Sequence, residues 1–381
     1  MLKYFKQYDF KRYNFILVMI VIVLGMIGVF LISRVHTDDT RLYLKHLVGI
    51  IGGMMGVVVL SLIDYHIISS FYLVFYVINL VLLALVKFSS FGIVLNNSRR
   101  WLDLGFTSFQ PSELSKIIII IFAAKLFTIF RQKINKAWVL LLAVISVGLP
   151  TGLILIQTNL STSLVIMFIF ATMIFASGLS WKIILPVILI GIPAVMGFFW
   201  YIQQDYQVIL KPYQRNRVLS FLNQESDEYK DQMYQQDNSV LAIGSGELYG
   251  KVWMDGTEED HNYDSVPIRE SDFIFSVAGE EFGFIGCCII IGLYAAIVYI
   301  CIMTARKAPD YMGMLIAVGL ASMFAFQLFV NIGVATKLLP NTGIPLPFLS
   351  SGLSSLMSGM LAVGIILNIR LQPQRNRGSA K

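Results

Sequence analysis

At Arg269-Glu270-Ser271-Asp272-Phe273-Ile274-Phe275 the chain passes in one step from charged to apolar sequence, and the apolar run continues to about residue 301. About 20 apolar residues suffice for a helix to cross the hydrocarbon core of a bilayer, so this run is long enough to span one. Glu280 and Glu281 lie inside it. A charge at mid-bilayer costs roughly 2.5–3.5 kcal/mol on insertion scales, so carboxylates placed there need partners or a task. Asp272, nearest the outer surface, is where chemistry is expected. On a helix, Glu280 is about 80° round from Asp272 and Glu281 is nearly opposite, so the three cannot share one site. The two glutamates read better as structural groups, hydrogen-bonded to a neighbouring helix.

The rest of the chain repeats the pattern. Of its 381 residues 56% are hydrophobic and 14% charged, and the mean hydropathy is +0.72. That is more apolar surface than one globular core buries. Apolar segments fall at about 14–33, 46–63, 67–87, 112–130, 137–156, 161–179, 181–203, 272–301, 311–334 and 351–369. They are continuous rather than alternating, which excludes a membrane β-barrel. The expected fold is all-α: a single integral membrane domain over 1–381 with about ten transmembrane helices. The first run, Phe15 to Ile32, is too long for a signal peptide and lacks a small-residue cleavage site, so it is expected to remain as the first helix. Cys287, Cys288 and Cys301 have no metal-ligand spacing and read as small core residues.

The net charge of +6 is read by location, because Lys and Arg mark the cytoplasmic side of a membrane protein; nucleic acid is not implied. Lys3, Lys6, Lys11 and Arg12, then Arg131, Lys133 and Lys136, then Arg306 and Lys307, then Arg370, Arg375, Arg377 and Lys381 all fall on one side. That side is the cytoplasm, and both termini belong to it. The opposite face carries a large extracellular loop, 204–270, between the seventh and eighth helices, with thirteen Asp plus Glu against six Lys plus Arg. A loop of that length is uncommon without a function or disorder. Its first half holds Tyr213-Gln214-Arg215-Asn216-Arg217, and its second half the acidic, mobile-looking run from Asp255 to Asp260.

Two further constellations lie outside. Arg99-Arg100-Trp101 precedes Gln110-Pro111-Ser112-Glu113 and Lys116 at the start of the fourth helix. Pro111 suits a first helical turn, and Glu113 and Lys116, three residues apart, can meet as a pair. One reading is a snorkelling ion pair with Trp101 as interface anchor. The other is a set of cations that holds a lipid diphosphate, to which Arg offers bidentate hydrogen bonds. The second constellation, Leu339-Pro340-Asn341-Thr342-Gly343-Ile344-Pro345-Leu346-Pro347-Phe348-Leu349-Ser350, has too many prolines and glycines for a helix. Irregular backbone at membrane depth must be buried in protein or line a cavity. Around Asp272, the residues Ser276, Gly279, Gly283 and Gly286 form a small-residue face, which suggests that the eighth helix packs inside the bundle.

In series these segments resemble the SEDS family (shape, elongation, division and sporulation) of RodA, FtsW and SpoVE. The likeness runs through Arg100-Trp101, Gln110 to Glu113 with Lys116, Tyr213 to Arg217, Ala242-Ile243-Gly244-Ser245-Gly246, Asp272 to Phe275 with Gly279 to Gly283, and Pro340 to Ser350. The chain departs from the family pattern before the aspartate (Pro267-Ile268-Arg269-Glu270), at Asn159-Leu160-Ser161-Thr162, and at Ser350-Ser351-Gly352-Leu353-Ser354. Asp272 is intact. The resemblance implies a ten-helix peptidoglycan glycosyltransferase in a bacterial cell membrane. Such an enzyme polymerises lipid II onto undecaprenyl-diphosphate-linked glycan beside a class B penicillin-binding protein and other morphogenesis proteins. Its proposed catalytic aspartate falls on Asp272, and Trp101, Gln110, Glu113 and Ser350 fall in the matching substrate-binding motifs.

Glycosyl transfer from a lipid diphosphate needs a base for the acceptor hydroxyl and positive charge for the departing diphosphate. Asp272 would be the base. Arg100 and Lys116, then Arg215 and Arg217, are the available counter-charges, and a divalent cation, Mg or Mn, bridging Asp272 and phosphate would serve the same purpose. No protein metal cage is readable. Two alternatives remain open: a lipid II flippase, and a non-catalytic scaffold for a transpeptidase.

Overall fold

The computed structural model describes residues 8–35, 40–95, 98–103, 105, 108–204, 206–208, 215, 218–219, 221–222, 230–253 and 261–372. Helices dominate: α1 (Phe15–Val35), α2 (Thr40–Leu62), α3 (Tyr65–Ser70), α4 (Tyr72–Phe88), α5 (Pro111–Ile129), α6 (Ala137–Ile156), α7 (Leu160–Ala176), α8 (Trp181–Gln203), α9 (Lys230–Ser245), α10 (Ile274–Arg306), α11 (Tyr311–Ala335) and α12 (Leu353–Leu371). Among the described residues, α1, α2, α6, α8, α10, α11 and α12 are long and apolar enough to cross a membrane, and α4 and α7 are shorter apolar helices. This is a polytopic membrane fold. In hydrocarbon a backbone must satisfy its own hydrogen bonds, and the helix does so within one segment. The third apolar stretch is interrupted at Phe71, so it forms the short α3 followed by α4.

The chain divides into two compact units. The first comprises residues 1–178, 290–328 and 344–381. Its interior helices are α5 and α12, buried along nearly their whole lengths. The pairs α2 with α12, α4 with α5, α1 with α2, and α7 with α5 and α6 build the bundle. Leu83, Ile119, Val147, Ile154 and Ile166 form one of its buried clusters. Outward-facing residues such as Met19, Val48, Ile51, Leu141 and Ile145 are apolar and exposed, as a lipid-facing surface requires. Between α4 and α5 the chain forms a small antiparallel sheet, β1 (Gly92–Leu95), β2 (Ser98–Asp103) and β3 (Ser108–Phe109), in that order. Arg99 fastens it to the end of α4 by donating to the carbonyls of Gly92, Lys87 and Ser89.

The second unit comprises residues 179–289 and 329–343. The long acidic loop contributes α9, a 16-residue helix, to it. Gln236 of α9 donates to the carbonyls of Val334 (2.9 Å) and Leu339 (2.8 Å), and Ser239 to that of Ala335 (2.7 Å). Lys337 pairs with Asp237 at 2.5 Å, and Asn341 donates to Gln235 at 2.7 Å. The last turn of α11 and the segment after it are therefore held by the loop. The acidic run from Asp255 to Asp260 lies outside the described residues.

Within the first unit, His66 bridges Asp64 and Asp310, each at 2.7 Å, and Tyr65 donates to Asp310 at 2.8 Å. Hydrogen bonds to Asp310 and then Asp64 push the His66 imidazole up to about 9, against the opposing effect of burial. Burial works to raise both carboxyls, but the hydrogen bonds they accept, from His66 to both and from the Gly313 N–H and the Tyr65 hydroxyl to Asp310, together hold both below the usual value. A histidine whose pKa rises on folding adds stability that is complete below its unfolded value of 6.5 and is lost as pH climbs toward 9. The carboxylates act on the acid side, where their contribution is complete above 3.8 and is lost as pH falls. Thermal unfolding of the detergent-solubilised protein should therefore show a fall in Tm between pH 6.5 and 9.5. In His66→Gln, Tm should start lower at pH 6.5 and the alkaline fall should largely disappear. An equal fall in the variant would assign the titration elsewhere.

Candidate active site

Asp272 sits in the tight turn that opens α10, in the second unit. Its N–H donates to the carbonyl of Ile268 at 3.2 Å, as does that of Ser271. Ile268 has φ +57, a left-handed conformation that a β-branched residue adopts only under constraint. Ser271 donates its hydroxyl to Asp272 Oδ1 at 3.1 Å, and Asn331 of α11 donates to the Asp272 carbonyl at 2.9 Å. The carboxylate is half-buried. Gly343, with φ +68, lies directly against it: a Cβ on Gly343 would sit 2.8 Å from Asp272 Oδ2. The sequence placed Asp272 and the Pro340 to Ser350 segment in separate constellations, and the structure brings Gly343 of the second to the carboxylate of the first.

Glu280 and Glu281 are fully buried, and their partners come from the loop rather than from a neighbouring helix. Glu280 accepts from the Asn262 and Tyr263 N–H groups at 2.8 Å each and pairs with Lys251. Glu281 accepts from the Tyr263 hydroxyl at 2.9 Å. Two N–H donors and an ammonium compensate the desolvation of the Glu280 carboxylate. The helix itself is not continuous, contrary to what its apolar run had suggested. α10 is broken at Gly283, where φ is +64 and ψ is −166. Past the break the N–H of Phe284 donates to the Glu247 carbonyl at 2.9 Å and that of Ile285 to the Leu248 carbonyl at 3.1 Å. The small-residue face, expected to place this helix inside the bundle, receives the loop at Ile243 to Gly250, whose Gly246 backbone packs on Gly279. Of the cysteines, Cys287 and Cys301 are buried but Cys288 is exposed, since adjacent residues on a helix face different directions.

Arg215 belongs to the same unit. It donates to the carbonyls of Ile202 (3.1 Å) and Gln203 (3.3 Å), capping α8 where a cation suits the negative end of the helix dipole. Tyr213 and Arg217 lie outside the described residues.

The first unit holds the other residues singled out by sequence. Lys116 and Glu113 meet at 2.8 Å, with side chains 2% and 3% exposed, at the start of α5. They form a buried pair rather than a snorkelling one, and Ser358 of α12 donates to the Glu113 carbonyl at 2.9 Å. Arg100 donates to the carbonyl of Thr158 at 2.5 Å, and Trp101 is partly exposed on β2, paired with Ile93. Gln110 donates its N–H to Ser354 (2.9 Å) and its amide to Ser112 (3.1 Å). Ser350 is 1% exposed, and its hydroxyl accepts from the Leu346 N–H at 2.8 Å.

The irregular stretch from Ile344 is buried in protein, as its composition demands. His46 of α2 lies 3.0 Å from the Phe348 carbonyl, and Tyr294 donates to that of Pro347. His46 went unnoticed in the sequence, although a lone imidazole in an apolar helix is a signal for a buried acceptor. Among the described residues, no three His, Cys, Asp or Glu side chains are grouped to hold a metal ion.

The profile of the cell cycle protein family of FtsW, RodA and SpoVE matches residues 11–375, and the chain belongs to this family. Two curated relatives support the match. A probable peptidoglycan glycosyltransferase FtsW of Xanthomonas oryzae is 36% identical over 307 residues, 77% of this chain and 59% of that longer protein. The peptidoglycan glycosyltransferase MrdB of Escherichia coli is 33% identical over 319 residues, 83% of this chain and 82% of MrdB. Among solved structures, a chain from work on the structural coordination of polymerization and crosslinking by a peptidoglycan synthase complex aligns with TM-score 0.77. Its identity is 28%, over 94% of this chain and 97% of that one.

Removing one member of a buried ion pair strands the other, at about 3–5 kcal/mol. Lys116→Met should therefore lower the unfolding temperature in detergent sharply, and Glu113→Gln combined with Lys116→Met should recover most of the loss. A double variant as unstable as the single one would show that packing around Lys116, not its charge, matters there.

Proposed function

We infer that this chain is a peptidoglycan glycosyltransferase of the bacterial cell membrane, joining lipid II units into glycan strands. The observation that carries the reading is Asp272: a half-buried carboxylate at the mouth of a broken helix, positioned by Ser271, Asn331 and Gly343. Asp272 accepts the proton of the acceptor sugar's 4-hydroxyl as that oxygen bonds to the donor's anomeric carbon. The anomeric carbon–phosphate bond breaks with inversion, and the undecaprenyl diphosphate departs with the electron pair. Ser271 orients one carboxylate oxygen, and the bare backbone of Gly343 lies against the other.

Arg100, Arg215 and Arg217 are the proposed cations for diphosphate. Lys116, closed on Glu113, contributes by holding the start of α5 in place. Trp101 and Gln110 belong to the proposed substrate-binding set, while Glu113 and Ser350 support it from within the protein. A divalent cation would be bound through the Asp272 carboxylate and phosphate oxygens, a donor set that suits Mg, which takes one or two carboxylates and fills its shell with phosphate and water. It would neutralise phosphate charge. Both termini lie in the cytoplasm in this reading, ten helices cross the membrane, and the loop faces outward, where a class B penicillin-binding protein would take the glycan for crosslinking.

The purified protein with its cognate transpeptidase should polymerise labelled lipid II, and Asp272→Asn at equal folded yield should bind lipid II without extending it. Equal polymerisation by the two would remove Asp272 from the chemistry. If neither polymerises, flipping or scaffolding becomes the leading account. In Gly343→Ala the added methyl collides with the carboxylate and the left-handed φ costs about 1–2 kcal/mol. A displacement near 1 Å at a reacting group costs up to about a hundredfold in rate. The same assay should therefore show a loss of tenfold or more with little change in lipid II binding; wild-type rates would mean that the approach of Gly343 does not position Asp272.

A further inference from the structure

The first unit contains a cavity of about 420 Å³ that shares no residue with the candidate active site. It lies where the chain enters α1 and leaves α10 and α12, and it is lined by Lys11, Arg12, Met303, Thr304, Lys307, Ile369 and Arg370. Its volume is within the ~300–1,000 Å³ usual for small-ligand sites. Among the described residues, four of the seven that line it are cations and none is a carboxylate. Among the described residues only Arg12 of the four has an ion pair, with Asp9 at 2.9 Å; no carboxylate pairs with Lys11, Lys307 or Arg370. The wall is fixed, because the Asp9 N–H donates to the Leu371 carbonyl at 3.0 Å and ties the turn Phe10–Arg12 to the end of α12. Arg370 is half-buried, with Lys11, Arg12 and Lys307 at the rim.

An ordinary cluster of cytoplasmic cations would complement the carboxyl ends of α10 and α12, each worth about half a negative charge. That demand accounts for about one of the four positive charges, and Asp9 offsets one more. About two remain, concentrated around a concave space with apolar Met303 and Ile369 in its wall. We propose that this cavity is a binding site for a phosphate group, carried by an anionic phospholipid headgroup or by a soluble phosphate ester. Basic pockets between transmembrane helices are suited to such headgroups, and Arg370 offers a planar fork for two phosphate oxygens.

The test uses the full-length protein in detergent and native mass spectrometry. Dioleoylphosphatidylglycerol and dioleoylphosphatidylcholine are titrated in separate runs, and glycerol 3-phosphate and inorganic phosphate are added as competitors. Wild type should retain phosphatidylglycerol in preference to phosphatidylcholine, and Lys11→Gln with Lys307→Gln, both at exposed positions, should weaken that retention about fivefold per charge removed. Arg370→Gln should act likewise. Unfolding temperature without lipid verifies that each variant folds, and the two lysine variants measured singly keep the question open to refutation if Arg370→Gln does not. Displacement of the lipid by glycerol 3-phosphate or inorganic phosphate, with the same dependence on the lysines, would support the site with a soluble ester as its ligand. Equal retention of both lipids by wild type, or unchanged phosphatidylglycerol retention in the folded lysine variants, would overturn the proposal.

Discussion

The break in α10 at Gly283 is the constraint on which the second unit depends. A helix interrupted inside an apolar run leaves backbone donors that hydrocarbon cannot satisfy, each costing several kcal/mol if left open. Here the Glu247 and Leu248 carbonyls receive the donors of Phe284 and Ile285. One turn earlier in the helix, Glu280 and Glu281 reach into the same loop and accept from Asn262 and Tyr263. Helix and loop are thus a single hydrogen-bonded object, and the buried carboxylates act as its fasteners.

That object sets the position of Asp272. The carboxylate precedes the first turn of α10, and the loop helix α9 simultaneously grips the end of α11 and the strap that carries Gly343. The general base proposed at Asp272 would work only while it is held near its target with the correct separation. Ile268, strained at φ +57, belongs to the same economy: an unfavourable local conformation is maintained by a surrounding framework that over-determines it.

The helices were legible because hydropathy over 20 residues has a single meaning in a bilayer, and the Glu113–Lys116 contact was legible because i, i+3 spacing is local. Asp272 stood out because an aspartate at the border of an apolar run is costly. What could not be read was long-range. The sequence of the loop does not say that Tyr263 will meet two glutamates 17 and 18 residues later, or that Gly343 will meet an aspartate 71 residues earlier. The short sheet β1 to β3 escaped notice because strands of two to six residues carry almost no periodic signal. Lys116 looked available to a ligand because its burial depends on how α5 packs within the bundle, including against α12 far along the chain.

The order of the sequence gives the broken helix a further property. Glu247 and Leu248 are synthesised before Phe284 and Ile285, so the acceptors have left the ribosome before the donors that need them. When the second half of α10 enters the bilayer, the segment that supplies acceptors for its open backbone is already on the chain. Were the acceptors downstream, the break would enter the membrane with two unpaired amides and wait for its partners. Chain order therefore places the acceptors ahead of the donors, while the contacts of α9 with the end of α11 can close only after both are made.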